Sequence, residues 1–243
     1  MTALAWLNDT TPLPHPDKAL PEGLLAVGGG LSTERLQEAY SKGIFPWFNE
    51  DDPVLWWSPD PRMVLQCDQF YISRSLGKKL RQIARTEKSD NAPLQVFLNT
   101  AFDDVIKACA DTRRHHEGTW ISKSIEQAYQ RWHRQGQVHS VEIYTEGRLV
   151  GGLYGVNLGG FFFGESMFSL ISDASKIALA YLVSYLLRYG ITHIDCQQET
   201  PHLASLGAKP IARTQFLQLL QDALPRRSPP WGQGQLLSNG LLI

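Results

Sequence analysis

Apolar positions along this chain follow two spacings, and the change between them divides it. Between residues 32 and 135 the spacing is mostly helical. Ser32 is placed to cap a short helix to about Lys42, with Leu36, Ala39 and Tyr40 on one apolar face and Gly43 as its stop. Residues 74–86, Ala101–Ala110 and Ser122–Gln135 are predicted as further helices, the last capped by Ser122 and closed by Gly136. Met63–Cys67 and Val96–Asn99 read as strands. After about residue 138, strand signals dominate. Ser140–Tyr144, Leu149–Gly160 and Phe161–Phe168 are predicted strands, with a turn at Glu146-Gly147-Arg148. Asp173 is then placed to cap a long helix to Tyr189, with Leu179, Leu182, Val183, Leu186 and Leu187 as its buried stripe and Gly190 as its stop. A strand at Thr192–Gln197, a turn or short helix at His202–Leu206 and a helix at Thr214–Leu224 complete the order.

The remaining segments are irregular. Residues 1–31, with Pro12, Pro14, Pro16, Pro21 and Gly28-Gly29-Gly30, read as an extended lead-in ending in a turn. An aromatic loop follows at 43–48, and the Ser-, Pro- and Gly-rich tail from Arg226 is expected to be loose. The fold class is α+β, in two parts. A small N-terminal α+β domain comprises the lead-in, short helix and aromatic loops (1–62) and a remainder with a basic helix (63–135). A C-terminal mixed-sheet domain covers 136–225, and the tail 226–243 ends the chain. The order strand, strand, helix, strand, helix in the C-terminal part suits an acyltransferase-like open sheet, though other α+β folds share it.

With 243 residues, 43% of them hydrophobic, the chain can bury a core of its own. A net charge of −1 excludes a uniformly basic nucleic-acid coat and leaves room for a local patch. Cys67, Cys109 and Cys196 lie far apart in sequence, without metal-type spacing or a disulfide framework. No signal peptide or membrane-length apolar run is visible, so a soluble cytoplasmic protein is expected, with a monomer as the default.

Several chemistries are disfavoured by pattern. There is no Gly-x-Gly-x-x-Gly or Walker A sequence. The seven histidines form no zinc motif, so no metal is expected. Gly164-Glu165-Ser166-Met167 lacks the second glycine of a nucleophile elbow. The constellation that stands out is Glu165, Asp195 and Gln197. Asp195 and Gln197 sit two apart on a predicted strand, which would point both to one face and Cys196 to the other. A carboxylate beside a carboxamide can orient an amine or take its proton; polar strand ends bonded only to loops are the plainer alternative. Arg74, Lys78, Lys79, Arg81 and Arg85 put five cations and no acid on the helix at 74–86, enough to neutralise phosphates unless the face is merely solvated. Trp47, Trp56, Trp57 and Trp120 lie in loop-like contexts, where an indole can stack an unpaired base or plug an interface.

Taken in order, the motifs resemble those of the bacterial leucyl/phenylalanyl-tRNA–protein transferases from about Leu24 to Leu220. They are Gly-Ile-Phe-Pro-Trp at 43–47, Leu-Trp-Trp-Ser-Pro-Asp-Pro-Arg at 55–62, Ile-Ser-Arg-Ser at 72–75, Gly-Thr-Trp-Ile at 118–121 and His-Ser-Val-Glu at 139–142. Leu-Val-Gly-Gly-Leu-Tyr-Gly-Val at 149–156, Phe-Gly-Glu-Ser-Met-Phe-Ser at 163–169, Ala-Ser-Lys at 174–176, Ile-Asp-Cys-Gln at 194–197, His202 and Ala204-Ser205-Leu206-Gly207-Ala208 continue the pattern. Gly30 departs from it, where the family usually has Asp.

The resemblance implies a GNAT-like C-terminal domain, with no cofactor. It implies transfer of Leu, Phe or, less readily, Met from aminoacyl-tRNA to the α-amine of proteins that begin with Arg or Lys, marking them for N-end-rule degradation. On that reading Asp195, with Gln197, is the base or orienting group, and Glu165 positions the aminoacyl group or attracts the cationic acceptor. Leu153, Phe162, Met167, Leu182, Leu186 and Ile194 would line the aminoacyl pocket. Trp47 and Trp120 would hold the terminal adenosine, and Arg74, Lys78 and Arg81 the tRNA phosphates. Two other readings compete. An acetyl-CoA-dependent GNAT-like enzyme would need a pyrophosphate loop, whereas residues 169–174 have no glycine and carry Asp173. A non-enzymatic RNA-binding module would use the basic helix but leave Asp195 and Gln197 without a purpose.

Overall fold

The computed structural model describes residues 4–89, 91–114 and 121–243. Four short strands, β1 (Ala5–Leu7), β2 (Leu24–Gly28), β3 (Phe45–Pro46) and β4 (Leu55–Trp57), form a sheet in the order β1-β2-β4-β3. The lead-in is therefore partly built: β1 pairs parallel to β2, and β4 closes antiparallel on β2 and β3. Pattern reading missed these strands because they are two to five residues long, too short to display a period.

Eight further strands form the main sheet: β5 (Arg62–Gln66), β6 (Gln95–Leu98), β7 (Val138–Thr145), β8 (Arg148–Leu158), β9 (Phe161–Ser169), β10 (His193–Asp195), β11 (Lys209–Ile211) and β12 (Gly234–Gln235). Their order is β11-β5-β10-β9-β8-β7-β6-β12. Only β9 and β10 pair in parallel; every other neighbouring pair is antiparallel. This is a mixed sheet in an α+β chain, as expected. The sheet nevertheless ignores the boundary drawn at residue 136, because β5 and β6 come from the earlier segment and lie within it. Strand pairing joins residues remote in sequence, which composition along the chain does not register.

The helices are α1 (Thr33–Ser41), α2 (Arg74–Thr86), α3 (Phe102–Arg114), α4 (Lys123–Arg134), α5 (Ala174–Arg188), α6 (Pro201–Ser205) and α7 (Arg213–Ala223). Ser32, Ser73 and Ser122 each accept the N–H three residues on, at 3.1, 3.2 and 3.3 Å, a cap that contributes about 1 kcal/mol. Asp173 is not such a cap. It has φ +69°, bonds no helix N–H, and pairs instead with Lys79 at 2.5 Å and Lys176 at 3.4 Å. A lysine remote in sequence wins the carboxylate from the local backbone.

The main sheet separates two apolar layers. On one face α1, α3, α4 and α7 pack with the small sheet; on the other α2 and α5 pack with the tail. Alternation on β9 serves both: Phe161 and Phe163 enter the first layer and Phe162 the second. The tail is ordered rather than loose. β12 extends the sheet on β6, Leu236 and Leu237 are fully buried, and Glu87 gathers Tyr181 Oη at 2.7 Å and Ser238 N and Oγ at 2.9 and 2.8 Å. Its polar composition hid two leucines and a tryptophan whose partners lie far away in sequence. Leu236→Ala is expected to cost about 2–5 kcal/mol of unfolding free energy, read as a lower urea midpoint. An unchanged midpoint would mean that the tail is not part of the folded unit.

Candidate active site

The parallel pairing of β9 with β10 covers only Ile194 with Phe162 and Asp195 with Phe163. Beyond these residues β9 runs on to Ser169 while the segment leaving β10 turns away at Gln197, which has φ +56°. The two backbones diverge, and a cavity of about 410 Å³ opens between them. Its apolar floor lies on the α5 face of the sheet and includes Leu153, Phe162, Met167, Leu179, Leu182 and Ile194. Phe45, Pro46 and Trp47 border it from the side of the small sheet, and His202 and Leu203 of α6 from the other.

A bulge organises the β9 wall. Gly155 pairs with Gly164 and Tyr154 with Ser166, so Glu165 is an extra residue in the strand. The insertion resets the alternation. Phe162 and Met167, five positions apart, thereby reach the same face. Glu165 points the other way, toward α1 and α4. There its Oε1 accepts from Tyr40 Oη at 2.7 Å and from Gln197 Nε2 at 3.3 Å, and its Oε2 accepts from Tyr129 Oη at 3.3 Å. The two tyrosine hydroxyls also bond each other. Burial raises the Glu165 carboxyl to about 8; the Asp195 charge adds to the rise, while the tyrosine hydroxyls and Arg62 oppose it. Burial and the neighbouring Glu165 push both tyrosines well up, so they remain protonated donors.

Asp195 occupies a different place from the one expected. It is 0% exposed and does not line the cavity. Arg62 holds it in a two-pronged pair, Nε to Oδ1 at 2.8 Å and Nη2 to Oδ2 at 2.7 Å. The guanidinium lies between the rings of Phe45 and Phe216, 4.7 and 4.5 Å from their centroids, and donates to the Gly43 carbonyl at 3.1 Å. Asp195 Oδ1 also accepts the Gln197 N–H at 2.9 Å. The two residues therefore do not share a strand face. β10 ends at Asp195, and the carboxylate instead fixes the turn that carries Gln197 to the cavity. Removing either ion-pair partner would strand a buried charge at about 3–5 kcal/mol, so any effect of an Asp195 substitution on activity includes a folding component.

The other expected residues divide as follows. Leu153, Phe162, Met167, Leu182 and Ile194 line the cavity together. Leu186 does not; one turn beyond Leu182, it is fully buried in the core beneath. Cys196, expected on the opposite face, lines the cavity because the strand has ended; burial raises its thiol, which disfavours a nucleophilic thiolate. Trp47 is 38% exposed at the rim and meets Trp57 edge-on at 5.5 Å. Trp56 is a core residue, its indole N–H bonded to the Gly28 carbonyl at 2.9 Å. Trp120 lies outside the described residues. Arg74, Lys78, Arg81 and Arg85 are exposed along α2, and among the described residues none is in an ion pair; Lys79 is taken by Asp173. The chain just before α2 is tied to the end of α6, where the Tyr71 N–H donates to the Leu206 carbonyl at 2.9 Å.

Sequence reasoning missed Tyr40, Tyr129 and Arg62 as parts of the site. Each carried a signal: a tyrosine on a buried helix face needs a partner for its hydroxyl, and an arginine in an aromatic, proline-rich stretch needs a counter-ion.

An apolar pocket at a break in a mixed sheet, lined by an acidic residue of raised pKa, in a chain that also exposes a basic helix, has the layout of a group-transfer enzyme that accepts an apolar moiety from an anionic carrier. Sequence profiles described as leucyl/phenylalanyl-tRNA protein transferase and its N-terminal domain match residues 64–221 and 29–60. A leucyl/phenylalanyl-tRNA–protein transferase of Bordetella avium is 54% identical over 242 residues, covering 99% of this chain and 97% of that protein. One from Syntrophotalea carbinolica is 53% identical over 230 residues, covering 93% and 96%. Likeness to solved structures is distant: a GCN5-related N-acetyltransferase from Kribbella flavida aligns with TM-score 0.35 and 11% identity, covering 72% of this chain and 60% of that one. The chain belongs to the leucyl/phenylalanyl-tRNA–protein transferase family and is an aminoacyltransferase.

The raised Glu165 carboxyl has a consequence for stability. From its ordinary value of 4.5 to about 8, the unfolded chain sheds a proton that the folded chain keeps. The contribution of Glu165 to stability therefore falls as pH rises through that window and levels off above it. Glu165→Gln removes this slope, so the variant is expected to gain on the wild type in urea unfolding between pH 5 and pH 8. Parallel stability curves would show a carboxyl that titrates normally.

Proposed function

We propose that the protein takes Leu, Phe and, less readily, Met from aminoacyl-tRNA and joins it to the α-amine of proteins beginning with Arg or Lys. Such products would carry the mark of N-end-rule degradation. The observation that carries this reading is the gap between β9 and β10, where apolar floor residues and Glu165 line one cavity. The donor is an activated ester, so placement supplies most of the catalysis. A side chain unbranched at Cβ, such as Leu, Phe or Met, fits between Phe162, Met167 and Leu182, and a pocket of this kind separates neighbouring side chains by only about 1–3 kcal/mol. Limited promiscuity follows.

The burial of Asp195 against Arg62 favours Glu165 over Asp195 for the base role. Asp195 is spent on Arg62 and on the Gln197 turn, whereas Glu165 lines the cavity with a pKa of about 8. That value lies beside the α-amine's own, about 7.7–8.0, where proton transfer between the two is nearly balanced. As the amine nitrogen bonds the ester carbonyl, the Glu165 carboxylate takes the proton that the nitrogen sheds. The ribose oxygen leaves and takes that proton up. Gln197 holds Glu165 in position through Nε2. Trp47 at the rim is suited to stack the terminal adenosine, and Arg74, Lys78 and Arg81 to hold phosphates.

The test is transfer of labelled Leu or Phe from tRNA to an Arg-starting peptide, with acetyl-CoA in a parallel tube. Label on the peptide is expected, and acetylation without aminoacyl transfer would overturn the reading. Below pH 7, kcat/KM is expected to fall about 100-fold per pH unit, because both the amine and Glu165 must lose protons; for Glu165→Gln it should fall about 10-fold, with the amine alone titrating. Equal slopes would remove Glu165 as the base.

Binding by α2 gives a separate outcome. Arg81→Ala should weaken tRNA binding and lower the slope of log affinity against log salt by about 0.7–0.9. An unchanged slope would make this helix a solvated face.

A further inference from the structure

The ring of Phe162, in the floor of the cavity, is confined from behind on two sides. One side is the backbone of β8: a Cβ at Gly155 would stand 2.5 Å from Cε1 and 2.6 Å from Cζ of Phe162, so only glycine admits the ring there. The other is Trp231, with its ring centroid 5.8 Å away and its plane inclined by 33°. Trp231 does not line the cavity. It belongs to the C-terminal tail, ten residues beyond the segment matched by the family profile, which ends at residue 221.

Trp231 is itself held firmly. It stacks on the His139 imidazole at 3.9 Å, with planes 6° apart, and meets the Tyr185 ring at 4.9 Å. Its indole N–H donates to Asn157 Oδ1 at 2.9 Å, and Asn157 Nδ2 donates to the Phe161 carbonyl at 2.8 Å. Asn99 Nδ2 donates to the carbonyl of the next tail residue, Gly232, at 3.0 Å. Burial lowers the His139 imidazole to about 3, so the stack joins two neutral rings at physiological pH. Trp231 is thus tied to β7, β8, β9 and α5 by contacts that leave it little room to shift.

We infer that Trp231 is a positioning residue that sets the depth of the aminoacyl pocket by backing Phe162, and so biases which donor side chain is transferred. The inference rests on the transferase reading above. A close-packed ring cannot recede while both of its supports stay in place. Removing the indole frees space behind Phe162, the floor deepens, and the bulkier donor gains more than the smaller one.

The experiment uses the full-length protein, with Trp231→Leu and Trp231→Phe as variants. It measures kcat/KM for Phe-tRNA and for Leu-tRNA with the same Arg-starting peptide. In Trp231→Leu the Phe-to-Leu ratio is expected to rise about fivefold or more. In Trp231→Phe, which keeps a ring against His139, it should rise less. A purely structural role lowers the folded fraction, reduces both donors together and leaves the ratio still. An unmoved ratio, or a shift toward Leu, overturns the inference. If the leucine variant does not fold, the phenylalanine variant decides by the same ratio. Wild-type protein that transfers neither donor overturns the transferase reading and this inference with it, whereas wild-type transfer with an unmoved ratio overturns the inference alone.

Discussion

The break between β9 and β10 is the constraint on which the rest of the molecule depends. Two strands that pair over two residues and then separate leave backbone groups and a hole in the middle of an eight-stranded sheet. A hole in a packed core is unfavourable unless something shapes and supports it. Here the support comes from both faces. α5 and α6 close one side, the small sheet closes the other, and the cavity between them is the candidate site.

Two features keep the gap open in a defined shape. The Arg62–Asp195 pair fixes the end of β10 and, through the Gln197 N–H, the direction in which the chain leaves. A buried ion pair contributes little net stability, yet it tolerates few geometries. The second feature is the bulge at Glu165. By adding one residue to β9 it turns a carboxyl toward α1 and α4 while keeping Phe162 and Met167 together on the opposite face. One strand thereby supplies both the apolar floor and the titratable group.

The N-terminal segment is accordingly not an accessory to the catalytic sheet. α1 and α4 bring Tyr40 and Tyr129 to Glu165, and β5 brings Arg62 to Asp195. The carboxyl that titrates near 8 does so because residues from both halves of the chain exclude water from it while offering hydrogen bonds. The tail completes the enclosure from behind, with Trp231 against Phe162 and Glu87 tying Ser238 to the end of α2.

Local pattern determined much of this protein by itself. The helices at 33–41, 74–86 and 123–134, with serine caps at 32 and 122, and the long strands from 138 to 169 follow from periodicity and capping, which act within a few residues. The motif resemblance named the residues around the cavity, and five of the six expected floor residues do line it. Only the tertiary structure decided which acidic residue lines the cavity. Asp195 and Glu165 look alike in sequence; a buried arginine 133 positions away claims one, and a bulge re-aims the other. It also decided that Asp173 serves Lys79 rather than its own helix, and that a polar tail supplies core. Those outcomes depend on competition between local and distant partners, and that competition is settled only once the chain has folded and removed the alternatives from water.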